Sequence, residues 1–202
     1  MSTTDTARDF TAGRPKRADA LRNYEKLIAA AREAFAEDGT STSLEEIARR
    51  AQVGIGTLYR HFPNRQTLLE AVYVDEVEAL CRSAADLAEL PPWDALVGWL
   101  HRFVAYLATK QALAQELLSY VDRDADLFQS CRTGLYAAGE PLLHRAQQAR
   151  VVRTDTNLTE VIQMVGGIAK IASVEPKQID HILDMALDGL RYRAPRAELP
   201  RR

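Results

Sequence analysis

Cysteine is almost missing from this chain: Cys81 and Cys131 are its only two, and neither stands in a CxxC or a Cys/His ligand spacing. That excludes a disulfide framework and leaves two small apolar residues suited to a core. The four histidines, His61, His101, His144 and His181, have no His, Cys or carboxylate at metal-ligand spacing, so no metal is expected. The GxSxG, GxGxxG and P-loop patterns are absent, and a catalytic site would have to be assembled from scattered residues. The expectation is a protein that is not an enzyme and carries no cofactor. Residues 1–20 hold no apolar core, and no apolar run approaches the ~18 residues of a membrane span, which points to a cytoplasmic protein without a membrane partner. A strong charge of either sign is lacking as well. The formal net charge of −2 nevertheless hides an asymmetry, with 11 Lys+Arg against 9 Asp+Glu in residues 1–65 and 15 against 19 in the remainder. A basic excess at one end is what attraction to phosphate requires.

What is present is helix-forming pattern. With 47% hydrophobic and 27% charged residues in 202, the chain can bury a sizeable core, and its apolar positions recur at three and four nearly throughout. The most informative stretch runs from Thr42 to Leu69. Ser43 followed by Glu46 reads as a capping box, and Leu44, Ile47, Ala48 and Ala51 share one face of a first short helix. Gln52 and Val53 form a break in which Gly54 supplies a permissive backbone. A second helix follows from Ile55 to Phe62, with Leu58 and Phe62 turned inward. Helix, tight turn and helix make a helix-turn-helix, whose second member is sized for a DNA major groove.

With Leu58 and Phe62 inside, the outward candidates are Ile55, Thr57, Tyr59, Arg60 and His61. Tyr59, His61, Arg65 and the backbone amides opened by an Asn64 cap can donate to phosphates, which positions a protein without reading sequence. Ile55 and Thr57 offer apolar surface to a thymine methyl, and Arg60 is the only long donor on this helix.

At these residues the chain resembles the tetracycline-repressor-like (TetR) family of bacterial transcription regulators. Thr42, Ser43, Leu44, Glu45, Glu46, Ile47 and Ala48 match the family's hydroxyl–apolar–Ile-Ala run. Gly56 to Phe62 match its Gly-Thr-Leu-Tyr-x-His-Phe core, and Asn64 to Leu68 match its Asn-Lys-x-x-Leu continuation. Leu27, Ile28, Ala30, Ala31, Phe35 and Gly39 fit its first helix. Two departures stand out: Gly54 where the family often has a capping Ser, and Glu45 where some members have a DNA-contacting Arg. The resemblance implies an all-α fold, a three-helix DNA-binding domain with helix-turn-helix plus a larger helical ligand-binding and dimerisation domain. The DNA-contacting set it implies is Thr42, Ser43, Gln52, Ile55, Gly56, Thr57, Tyr59, Arg60, His61, Asn64 and Arg65.

The remaining chain reads in order around that motif. Residues 1–18 form a polar N-terminal arm in which Gly13, Arg14, Pro15, Lys16 and Arg17 either lie along a minor groove or simply aid solubility. Asp19 to Asp38 is a bracing helix that stops at Gly39, and Asn64 to Leu87 is one long helix with a single apolar face. Leu90, Pro91 and Pro92 end it and start another, and Ala112 to Val121 reads as a separate shorter helix before a turn at Asp122, Arg123 and Asp124. The helix from Asp126 to about Arg150 contains Pro141, which predicts a kink or break near Gly139 and Glu140. Two final helices, about Asn157 to Ser173 and Pro176 to Arg191, carry the stripes Leu158, Ile162, Val165, Ile168, Ala169 and Ile179, Ile182, Leu183, Ala186, Leu190. Such a hairpin alone would expose much apolar surface, which two copies pairing about a two-fold axis, or packing within the monomer, would cover.

Domain boundaries are therefore expected at 1–18 (arm), 19–63 (DNA binding), 64–193 (ligand binding and dimerisation) and 194–202 (tail). The resemblance further implies a ligand cavity drawing on Tyr73, Val77, Cys81, Trp99, Phe103, Tyr106, Leu117, Phe128 and Tyr136, although core packing accounts for the same aromatics. The expected partners are double-stranded operator DNA, a partly apolar small molecule and a second copy of the chain. The expected function is a repressor released by its ligand; the alternatives are an activator, or a small-molecule-binding helical protein whose helix-turn-helix is only structural.

Overall fold

The computed structural model describes residues 14–15, 17–38, 41–120, 126–171 and 175–191, with backbone alone at 108–112, 114–115 and 176. The described residues form α1 (Ala18–Asp38), α2 (Leu44–Arg50), α3 (Ile55–His61), α4 (Arg65–Asp86), α5 (Pro92–Leu117), α6 (Asp126–Gln148), α7 (Leu158–Ile168) and α8 (Pro176–Asp188). Among them the only extended pairing is an antiparallel bridge between Val152 and Arg191. No described helix is long and apolar enough to cross a membrane. Gly39, the turn at Asp122 to Asp124, the arm before Arg14, Lys16 and the tail from Ala194 lie outside the described residues.

Contacts divide the chain into two compact units, Met1–Ala79 with Ala108–Leu135, and Leu80–Leu107 with Tyr136–Arg202. The first holds α1, α2 and α3. Leu27, Ile28, Ala31, Ala34 and Phe35 of α1 are buried, as are Ile47 and Ala48 of α2, Leu58, Phe62 and the first apolar residues of α4, Leu68 and Leu69. Seven residues are too few for a stable isolated helix, so α3 owes its orientation to this packing. Burying Leu58 and Phe62 supplies about 1.5–3 kcal/mol each, and the Phe62 ring lies 5.2 Å from that of Tyr24 on α1.

The second unit is organised around Trp99 of α5. Its indole is fully buried, donates to the Leu80 carbonyl at 3.3 Å and stacks on Phe103 with centroids 6.0 Å apart. Gly139 of α6 lies against it so closely that a Cβ there would stand 2.5 Å from Cη2. Leu142, Leu143, Leu158, Val161, Val165, Leu183 and Leu187 are among the other buried residues of this unit.

Two expectations need correcting here. The segments read as two helices between Pro92 and Val121 form one, α5, because no Gly or Pro interrupts the chain from Trp99 to Leu117 and the polar stretch between them breaks nothing. α6 continues through Pro141 without the expected break, and Gly139 serves the contact with Trp99. The stripes of the last two helices are split. Leu158, Val165, Ile168, Leu183 and Leu190 are buried within a single chain, whereas Ile162, Ala169, Ile179, Ile182 and Ala186 are half-buried. A helix hairpin has two apolar edges, and a linear pattern does not say which edge its own chain covers.

Candidate nucleic-acid interface

α2 starts at Ser43, whose hydroxyl accepts from the Glu46 amide at 3.1 Å. The other half of the expected capping box is diverted: the Glu46 carboxylate accepts from Nε and Nη2 of Arg49, each at 2.7 Å, and from Nε of Arg50 at 2.9 Å. Those bonds hold its acid well below the ordinary range, at about 2. Arg50 also reaches Glu37 at 2.7 Å and Asp38 at 2.5 Å, so much of the positive charge at the end of α2 is already paired.

The turn into α3 is closed by a Schellman arrangement. The Val53 amide donates to Ala48 O at 3.0 Å and the Gln52 amide to Arg49 O at 3.1 Å. Its left-handed residue is Gln52, at φ 55, and not the glycine expected to relax the break. Gly54 has φ −60 and ψ 138, an extended backbone open to any residue, and it starts α3 without a side-chain cap.

α3 presents Ile55, Gly56, Tyr59 and Arg60 to solvent, with Thr57 and His61 half-buried. Ile55 and Tyr59 keep 39% and 44% of their surface, and both lie on this outward face. A Cβ added at Gly54 or Gly56 would meet nothing within 4 Å, so no neighbour in the chain requires either glycine. Arg60 has no ion-pair partner among the described residues. The His61 ring stands edge-on to Tyr24 at 6.1 Å; burial first, then the Arg60 charge, lowers its pKa. That direction favours the neutral ring, which offers one N–H donor. Asn64 Oδ1 accepts from the Thr67 amide at 2.9 Å and caps α4.

Two members of the expected DNA-contacting set are elsewhere engaged. Thr42 is buried, and its carbonyl accepts from Arg65 at 2.6 Å. Arg65 also donates to Glu116 at 2.7 Å and lies over the Phe35 ring at 5.6 Å, so its guanidinium binds the start of α4 into the unit. Sequence offered no sign of this, because Glu116 is 51 residues away. The same holds for Arg14, which bonds Asp75 at 2.9 Å and Glu78 at 2.6 Å, and for Arg32, which pairs with Asp75 and Glu76. Arg14 is thus held on α4, and with Tyr24, Ile28 and Arg32 it lines a cleft of about 180 Å³.

The sequence profile described as "Bacterial regulatory proteins, tetR family" matches residues 27–72, and that described as "Transcriptional regulator SbtR-like, C-terminal domain" matches residues 91–192. The chain belongs to the TetR family. A TetR transcriptional regulator of Streptomyces coelicolor, SCO0520, is 41% identical with a TM-score of 0.74, covering 84% of this chain and 99% of that one. A TetR transcription regulatory protein of Mycobacterium vanbaalenii is 32% identical with a TM-score of 0.72, covering 88% and 99%. The Transposon Tn10 TetC protein of Escherichia coli is 32% identical over 88 residues, 42% of this chain and 44% of that protein, so the match spans under half of that relative's length.

As a TetR-family transcriptional regulator, the chain has the helical domain in which ligand-contacting residues were expected, and these fall into both compact units. In the first, Tyr73, Val77 and Leu117 are buried and Phe128 is half-buried, its ring edge-on to Tyr73 at 5.3 Å. In the second, Trp99, Phe103 and Tyr106 are buried, while Cys81 and Tyr136 are half-buried. Trp99 is committed to the core by Gly139 and the Leu80 carbonyl.

Proposed function

We propose that this TetR-family regulator is a homodimeric repressor that grips operator DNA through α3 and releases it when a small, partly apolar molecule binds. The observation that carries the DNA-contacting part is the contrast across α3 and its C-cap, where Leu58 and Phe62 are buried while Ile55, Gly56, Tyr59 and Arg60 face water. In this reading Tyr59, Arg60, His61 and the Asn64 region hold phosphates, and Ile55, Gly56 and Thr57 approach the bases. Ser43 and Gln52 flank that surface as exposed polar residues. The half-buried Ile162, Ala169, Ile179, Ile182 and Ala186, with Met185 57% exposed, support a second copy covering that edge of α7 and α8.

Release would act through α4. Its start is tied by Arg65 to the Thr42 carbonyl just before α2 and to Glu116 of α5, and its middle turns are tied to α1 and the arm by Arg32 and Arg14. A ligand that displaces Tyr73 or Val77 strains those ties. Dimeric readers need half-sites about 34–36 Å apart or a multiple of that, so a small shift of α4 in each copy spoils the joint fit. Coupling of this kind amounts to about 1–3 kcal/mol and is reciprocal.

The test begins with selection of bound duplexes from a random pool, which should enrich a palindrome. Operator affinity is then titrated with and without candidate ligands. A pool that shows no enrichment refutes the DNA-contacting role, and a tight ligand that leaves operator affinity unchanged refutes release.

A further inference from the structure

The apolar content of the α3 face has a direct chemical counterpart in the major groove. Of the large hydrophobic residues of α1, α2 and α3, Ile55 and Tyr59 alone remain exposed among the described residues. α3 carries no Asn, Gln, Asp or Glu, and Arg60 is its one side chain able to bond a base edge in two places. The only apolar group that base pairs show in the major groove is the C5 methyl of thymine. Gly56, the neighbour of Ile55, has an ordinary helical backbone and a vacant surround. Alanine would be the better helix former there, so the chain's own fold gains nothing from the missing methyl.

We propose that Ile55 reads a thymine methyl at one fixed position of each half-site, and that Gly56 is bare so that α3 can approach closely enough for this contact. The proposal rests on the reading that α3 enters the major groove, and it names what the helix selects there: a thymine, recognised by its methyl and not by its hydrogen-bonding edge. Thr57, half-buried beside them, adds a hydroxyl and a methyl to the same surface.

The experiment uses the full-length protein and the palindrome recovered from the random pool. Each thymine is replaced in turn by deoxyuridine, which removes the methyl and leaves every donor and acceptor in place. Losing one buried methyl contact corresponds to about a fourfold weaker Kd per half-site. One symmetric pair of positions should show that loss with the native protein, and Ile55→Ala should bind the thymine and deoxyuridine duplexes equally. Gly56→Ala should raise the thermal midpoint of the free protein yet weaken binding to the thymine operator.

The methyl reading is overturned if no deoxyuridine substitution weakens binding, or if Ile55→Ala keeps the full deoxyuridine penalty. The role given to Gly56 is overturned if Gly56→Ala binds the operator as tightly as the native protein. Failure to enrich any palindrome instead removes the underlying reading that α3 is a DNA reader, and the methyl proposal falls with it.

Discussion

Replacing Gly139 by alanine should destabilise the protein, although the same change inside a helix ordinarily stabilises. The gain from helix propensity is about 1 kcal/mol. Against it, the new Cβ would stand 2.5 Å from Cη2 and 2.7 Å from Cζ3 of Trp99, and 3.0 Å from Cδ2 of Leu158. The indole has little room to retreat, because it is fully buried, bonded to the Leu80 carbonyl and stacked on Phe103. Overpacking a rigid core of this kind costs about 1–3 kcal/mol beyond any propensity gain. At roughly 2–4 °C per kcal/mol for a chain of this size, Tm should fall by about 2–12 °C in a thermal melt of the DNA-free protein. Trp99→Phe supplies the control, since the smaller ring vacates the contested space. Gly139→Ala should cost much less in that background than in the native protein, a coupling that a double-mutant cycle measures. A Gly139→Ala protein that melts at or above the native midpoint, or two substitutions that simply add, would refute the close approach as the reason for this glycine.

Arg65→Met should lower Tm by an amount corresponding to about 1–3 kcal/mol, because the Thr42 carbonyl and the Glu116 carboxylate lose their donor; an unchanged Tm with a shallower salt dependence of operator binding would instead make Arg65 a phosphate contact. Ile182→Asp, at a half-buried position, should give a folded monomer in sedimentation velocity, while Ile168→Asp, at a buried one, should unfold the chain. If Ile182→Asp stays dimeric, the interface lies elsewhere. The Glu46 acid is lowered from 4.5 to about 2 by its bonds to Arg49 and Arg50. Its stabilisation is thus fully present above about pH 4.5 and is lost as pH falls toward 2. Acid titration of Glu46→Gln against the native protein should show a constant difference above pH 4.5 that closes below it, and a difference independent of pH would contradict the pairing.

What the sequence by itself determined is whatever depends on neighbours three and four residues away. The apolar period placed α1, α2, α3 and α4 to within a residue or so, and the Leu58–Phe62 spacing alone fixed which side of α3 faces out, because a helix has only one roll that buries both. Local chemistry carried the caps as well: Ser43 and Asn64 take the roles their positions suggest, and the full capping box at Asn157 and Glu160 could have been read the same way. Tertiary structure decided the rest. Gln52 takes the left-handed conformation at the break, where Gly54 was expected to supply the permissive backbone, since the closing bonds to Ala48 and Arg49 stabilise a conformation costly for glutamine alone. Arg65 and Thr42 match a DNA-contacting motif in sequence but turn inward, because Glu116 and Phe35 meet Arg65, and Arg65 the Thr42 carbonyl, only after folding. The last two helices show the division most plainly. Their stripes identified residues that must leave water, but only packing distinguishes the edge a single chain covers from the edge left half-open, because hydrophobic period records the need for burial and not the partner that satisfies it.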